Sequence, residues 1–106
     1  MKKERIRAIF RKPLTNKSEI VEVENTVEGI QEMIGGHFEC VTIEEGICLL
    51  CDEDGKLKRL QPNCIYRGDI IAGPILIVGT QGDEFTSIPE LFAERFMKKE
   101  RGTSRR

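Results

Sequence analysis

Four cysteines, Cys40, Cys48, Cys51 and Cys64, and a lone histidine, His37, are the first residues to test for chemistry. Four thiolates could hold zinc in a tetrahedron if tight turns presented them together. Cys48 and Cys51 have the two-residue spacing of a zinc knuckle, but Leu49-Leu50 between them is a poor turn. On a strand, positions three apart point to opposite faces. Cys40 stands alone and Cys64 has no close partner, so the cysteines read as buried, reduced thiols packing as small hydrophobes. A disulfide or redox pair is the lesser alternative and a metal site the least. His37-Phe-Glu39 followed by Cys-x-x-Cys has the outline of a zinc deaminase motif, without the leading proline or the spacing that motif needs.

Asp52-Glu-Asp54-Gly55 has the start of a calcium loop, which needs glycine at about position six and glutamate at about twelve. Here the fourth residue is Gly55 and the twelfth is Asn63, so the segment reads as a hairpin turn. No Gly-Lys-Ser/Thr phosphate loop occurs, and Gly79-Thr-Gln-Gly82 leaves a strand instead of joining the two helices of an RNA clamp. Ser18, Ser87 and Ser104 fall in turns, caps or tail. With no nucleophile beside a base, neither enzymatic activity nor a cofactor is expected.

Charge is distributed unevenly. Residues 1–17 hold seven Lys/Arg against one acid, residues 94–106 six against two, and the 76 between them four against fifteen. The acidic middle offers a surface for a basic protein partner, with Glu28, Glu32 and Glu53 as its candidate residues, since such surfaces speed encounter with cations. The one central cationic cluster is Lys56, Lys58 and Arg59, near Pro62-Asn63. The basic ends could contact phosphates, through Lys2, Lys3, Arg5, Arg7, Arg11 and Lys12 with Lys98, Lys99, Arg101, Arg105 and Arg106. Only Phe10 is interleaved among the first group for base stacking, so nucleic-acid binding is expected to be weak and without sequence preference.

The elements that must position these groups follow from periodicity. Arg5–Arg11 alternates, with Ile6, Ala8 and Phe10 on one side and the arginines on the other, and Val21 and Val23 alternate with Glu22 and Glu24. Paired antiparallel, the two strands set arginines against glutamates. A helix is expected over 26–34, with Asn25 as N-cap, Glu28 reaching back, Val27, Ile30 and Ile34 facing the core and Gly35-Gly36 ending it. Strands follow from 38 to 80. Ile47–Cys51 is apolar on both faces and therefore central, Asp54-Gly55 is a two-residue hairpin into Lys56–Leu60, and Gln61-Pro62-Asn63 is a break. Gly73-Pro74 splits the long run 70–80 by a bulge or into two strands. Ser87-Ile-Pro-Glu90 is a second capping box, opening a helix over 88–98 with Ile88, Leu91, Phe92 and Phe96 facing inward. A buried phenylalanine at 92 would make Phe92→Ala cost about 3–5 kcal/mol. The fold class is α+β: one domain over 1–99, a mostly antiparallel sheet of about five to six strands with two helices, β-grasp-like in its hairpin–helix–hairpin order. Residues 100–106 are expected to be a disordered basic tail. No apolar run reaches the roughly 18 residues a membrane span needs, and no signal-type stretch follows the basic start, so a cytoplasmic location is expected.

Val21-Glu-Val, Val27-Glu-Gly-Ile-Gln-Glu-Met-Ile-Gly-Gly-His-Phe-Glu39, Cys51-Asp-Glu-Asp-Gly-Lys-Leu57, Pro62-Asn63, Asp69-Ile-Ile-Ala-Gly73 and Ile77-Val-Gly79 occur in that order. The set resembles a family of small proteins from phages, plasmids and gut Firmicutes classed as a domain of unknown function, over about residues 19–97. His37 stands where an aromatic is usual, and Cys64 where an arginine often follows Pro-Asn. The resemblance implies a mobile-element setting and brings no catalytic residues. The leading expectation is a non-catalytic binding protein acting on a protein partner. The alternatives are a counter-defence protein sequestering a nucleotide at Lys56, Lys58, Arg59 and Asn63, and a weak nucleic-acid binder.

Overall fold

A computed structural model describes residues 4–15 and 17–104, with side chains as far as residue 100. The chain opens with β1 (Arg5–Arg11) and β2 (Glu19–Glu24), paired antiparallel with arginines against glutamates as expected, Arg5 opposite Glu24 and Arg7 opposite Glu22. Helix α1 (Val27–Ile34) begins at Thr26, whose Oγ1 accepts from the Gly29 N–H at 2.9 Å. Asn25 is therefore not the cap: its side chain donates to the Phe85 carbonyl at 3.0 Å. The helix ends as expected at Gly35, in the left-handed region at φ 97°, whose N–H closes on the Gln31 carbonyl.

After α1 come β3 (Phe38–Glu44) and β4 (Ile47–Asp52), then β5 (Pro62–Tyr66), β6 (Asp69–Ala72), β7 (Ile75–Gln81), β8 (Glu84–Thr86) and helix α2 (Glu90–Ser104). The main sheet runs β2-β1-β7-β4-β3 with β8 added to β7, all neighbours antiparallel, while β5 and β6 form a separate hairpin. The hairpin–helix–hairpin order is present, and β7 is inserted between the two hairpins to join them. As anticipated, β4 is central and buried at all six positions. Gly73-Pro74 separates β6 from β7.

Alternation along β4 and β7 feeds two cores. Cys48, Leu50, Leu76 and Val78 join Ile6, Ala8, Phe10 and Val23 under Ile30 and Ile34 of α1. Ile47, Leu49, Cys51, Ile75 and Ile77 join Ile9 under Ile71, Ile88 and Ala93, on the face covered by α2 and the β5–β6 hairpin. Two apolar faces on one sheet require cover on both sides, which makes this a three-layer α+β domain.

Several local expectations fail. Asp54-Gly55 does not make a hairpin and Lys56–Leu60 is not a strand. Residues 53–59 form a series of turns in which Lys58 N–H donates to Asp54 O and Leu60 N–H to Gly55 O. A Cβ on Gly55 would lie 2.6 Å from the Ala72 carbonyl oxygen, so glycine is required there for close approach to β6. The two-residue hairpin is at Arg67-Gly68, both with positive φ (52° and 80°), between Tyr66 and Asp69. Pro62 and Asn63 begin β5 instead of breaking a strand, and proline is tolerated at the first position of an outlying strand.

At the second helix, Ser87 does not cap. Its Oγ accepts the Arg7 backbone N–H at 2.9 Å, and Ile88 N–H donates to Arg7 O, so the segment before α2 is stitched to β1. Val27 and Leu91, expected inside, are 57% and 58% exposed. Helix α2 also continues past 98 to Ser104, so the segment expected to be a disordered tail from residue 100 is helical as far as 104; Arg105 and Arg106 lie outside the described residues. The reason is Glu100. Its carboxylate accepts from Ser18 N–H at 2.6 Å, Ser18 Oγ at 2.7 Å and Arg11 at 3.2 Å, anchoring the helix beside the β1–β2 connection.

Candidate functional site

The cationic candidates sit on the turns between β4 and β5, where both lysines are paired with acids. Lys58 Nζ donates to Asp52 Oδ2 at 2.7 Å, and Lys56 pairs with Asp69 of β6. The Asp52 side chain is 1% exposed. Burial alone would raise its pKa, but the Lys58 hydrogen bond and the Asp54 N–H (2.8 Å) overrule this and hold it below the ordinary 3.8. Lys58 is correspondingly raised above 10.5, chiefly by its hydrogen bond to Asp52. Asp69 is lowered by Lys56. Arg59 is exposed, in the left-handed region at φ 59°.

Asn63 is turned inward: its Nδ2 donates to Arg11 O and to Gly73 O, each at 2.9 Å, tying the end of β1 to the β6–β7 junction. Lys56, Lys58 and Asn63 are thus engaged in structural contacts, and Arg59 stands exposed.

The cysteines depart from the sequence reading. Cys40 and Cys48 are joined in a disulfide between β3 and β4, with Cα atoms 6.2 Å apart, and Cys40 is exposed. The cause is register. Cys40 faces Leu50 and Thr42 faces Cys48, which places the two cysteines diagonally across an antiparallel pair. Cys51 is a buried thiol on the opposite face, its pKa pushed up to about 11 by burial, with Glu39 and Cys64 adding to the effect. Burial also raises Cys64. Among the described residues no group of three or more His, Cys, Asp or Glu could hold a metal ion. His37 Nδ1 takes a hydrogen bond from the Gln31 side chain at 3.3 Å and lies on the exposed exit from α1.

The acidic candidates are brought into relation. Glu28 and Glu32, four apart on α1, share its exposed face. Glu53 is exposed at the helix's C-terminal end, where its N–H donates to His37 O. At the N-terminal end lies a groove of about 390 Å³ that sequence reasoning missed. Its acids are Glu4, Asp83 and Glu84, its apolar walls include Val27, Phe38 and Phe85, and among the described residues no lysine or arginine lines it. The rings of Phe38 and Phe85 stand 6.4 Å apart. Asn25 holds the groove together, its N–H donating to Glu4 O and its amide to Phe85 O. The one sequence signal for it was the turn chemistry of Gly82-Asp83; nothing local places that turn beside α1.

Residues 6–100 match the family described as a domain of unknown function, DUF3846. The chain belongs to that family. Its match spans both cores, α1 and α2 as far as residue 100, so the DUF3846 domain here includes Glu100 and its contacts. No curated protein and no solved structure matches the chain. Among the described residues no helix is long and apolar enough to cross a membrane.

Proposed function

We propose that this DUF3846 protein is a non-catalytic binding protein of a phage or other mobile element, docking a basic, partly apolar segment of a partner protein along α1. The observation that carries the reading is the groove at the start of α1, where three acids flank exposed apolar surface with no lysine or arginine among the described residues that line it. Glu28, Glu32 and Glu53 extend the same sign of charge along the helix. Clustered charge of one sign raises encounter rates with opposite charge, and the apolar walls supply area to bury. The mobile-element setting rests on the resemblance of the ordered segments. The nucleotide-binding alternative is weakened because Lys56 and Lys58 are engaged by Asp69 and Asp52 and Asn63 by backbone carbonyls.

The test is a pull-down from a Firmicute lysate with three proteins: wild type, Glu4→Lys/Asp83→Lys/Glu84→Lys, and Glu28→Lys/Glu32→Lys/Glu53→Lys. Both variants are expected to lose partners that wild type retains. An unchanged set of partners in both charge-reversed proteins would sink the proposal.

A further inference from the structure

The two edges of the main sheet differ. Along β3 the edge is broken by a register shift between Thr42 and Glu44 and tied inward by the Cys40–Cys48 disulfide. Strand β2 has six residues in unbroken register with β1 and no strand on its other side among the described residues. Irregular edges resist strand addition, whereas regular ones invite it unless charge prevents it.

The face of β2 toward α2 carries Ile20 and Glu22, opposite Ile9 and Arg7, and at the end of the strand Glu24, opposite Arg5, accepts from the Thr26 hydroxyl at 3.0 Å. Arg7 does not satisfy Glu22: its guanidinium reaches away to Glu90 of α2 at 3.3 Å, and among the described residues Glu22 forms no salt bridge. Ile20 is 44% exposed. It borders a mainly apolar groove of about 470 Å³ with Ile88, Ala93 and Met97, whose far wall is α2.

We propose that the outer edge of β2 takes up an extended segment of a partner protein in which alternate residues on one face are basic, basic and apolar. In an antiparallel addition, the two basic residues lie opposite Glu24 and Glu22, and the apolar one lies opposite Ile20 at the mouth of the groove. Main-chain hydrogen bonds supply affinity in this mode and alternate side chains supply selectivity. Strand β1 meets β2 with this same pattern from the inside, as Arg5, Arg7 and Ile9. A second copy of β2 is a poor occupant, because registers centred on Glu22 or Val23 set glutamate opposite glutamate. This surface is distinct from the α1 groove, and the proposal stands independently of that reading.

The experiment titrates the full chain with two blocked peptides, Arg-Val-Arg-Val-Ile-Val and Glu-Val-Glu-Val-Ile-Val, following backbone amide exchange residue by residue. The arginine peptide is expected to protect amides in residues 19–24. It should bind about tenfold or more tightly than the glutamate peptide, as exchanging two like-charge cross-strand pairs for two opposite ones implies. The variant Glu22→Arg/Glu24→Arg should reverse the preference. The near-isosteric Glu22→Gln/Glu24→Gln, which preserves the fold if the charge reversal does not, should abolish it. Ile20→Lys should weaken the arginine peptide. Equal affinity for both peptides, protection centred on α1 and β8, or self-association without peptide capture would each overturn the proposal.

Discussion

Asp52 keeps its charge in a nearly closed site because Lys58 and the Asp54 N–H compensate burial. Its folded pKa lies below its ordinary value. Its contribution to stability is therefore fully present above about pH 5 and is lost as pH falls through the folded value. Lys58 obeys the mirror rule, its raised pKa preserving the pair until the solution is strongly alkaline. Asp52→Asn is expected to cost about 1–2 kcal/mol at neutral pH, discounted for the half-exposed lysine, with the deficit shrinking below about pH 4. Urea melts of both proteins at neutral and acid pH measure this; a deficit unchanged with pH would show that the carboxylate charge is not its source. The thiols give a second check. With Cys51 pushed up to about 11, alkylation of native protein at neutral pH should be very slow, since only the thiolate attacks. In concentrated guanidinium without reductant two thiols should react, Cys51 and Cys64, and four after reduction. Four without reductant would mean that Cys40 and Cys48 are not joined in the purified protein.

Among the elements, α1 is held by the fully buried Ile30 and Ile34, and α2 by a looser contact in which Ala93 is buried while Phe92 and Phe96 are half-buried. Ile30→Ala is accordingly expected to cost about 2–5 kcal/mol. Phe92→Ala should cost less than about 3 kcal/mol, below the range for a buried ring, and Leu91→Ala should stay within about 0.5 kcal/mol. Chemical denaturation of the three variants gives the order; a Phe92 deficit equal to that of Ile30 would contradict the half-buried placement. Asn63→Ala should cost about 1–3 kcal/mol, because it strands two carbonyls at the junction of β1, β5 and β7. That loss should appear whatever nucleotides are added.

For the molecule as a whole, two arginines of the basic N-terminal segment are engaged by acids of α2. Arg7 pairs with Glu90, Arg11 with Glu100, and Arg5 lies opposite Glu24. Lys2, Lys3, Arg105 and Arg106 lie outside the described residues. Binding of duplex DNA is expected to be weak, independent of sequence, and to fade between about 50 and 200 mM salt as counterion release requires. A gel-shift titration at both salt concentrations checks this. Submicromolar affinity for one sequence at the higher concentration would make the basic ends a functional surface.

Local pattern alone determined the α+β class, the β1–β2 pairing with its arginine and glutamate rows, the glycine stop after α1 and the central place of β4. Each rests on residues within a turn or a strand of one another, where side-chain period and backbone preference act directly. Only the tertiary structure decided which turn makes a hairpin. Asp54-Gly55 has the stronger local signal, yet Gly55 is needed to pass close to Ala72, and Arg67-Gly68 makes the turn instead. It also decided that Cys40 meets Cys48, that Glu100 draws the tail into α2, and that Asp83 and Glu84 come beside Glu4. These pairs are joined through strand register or through contacts up to 89 residues apart in the chain, and no local preference encodes such encounters. The acidic face of α1 could be foreseen from helical spacing; the groove at its end, and the charge of Glu22 left over when Arg7 turns to Glu90, could not.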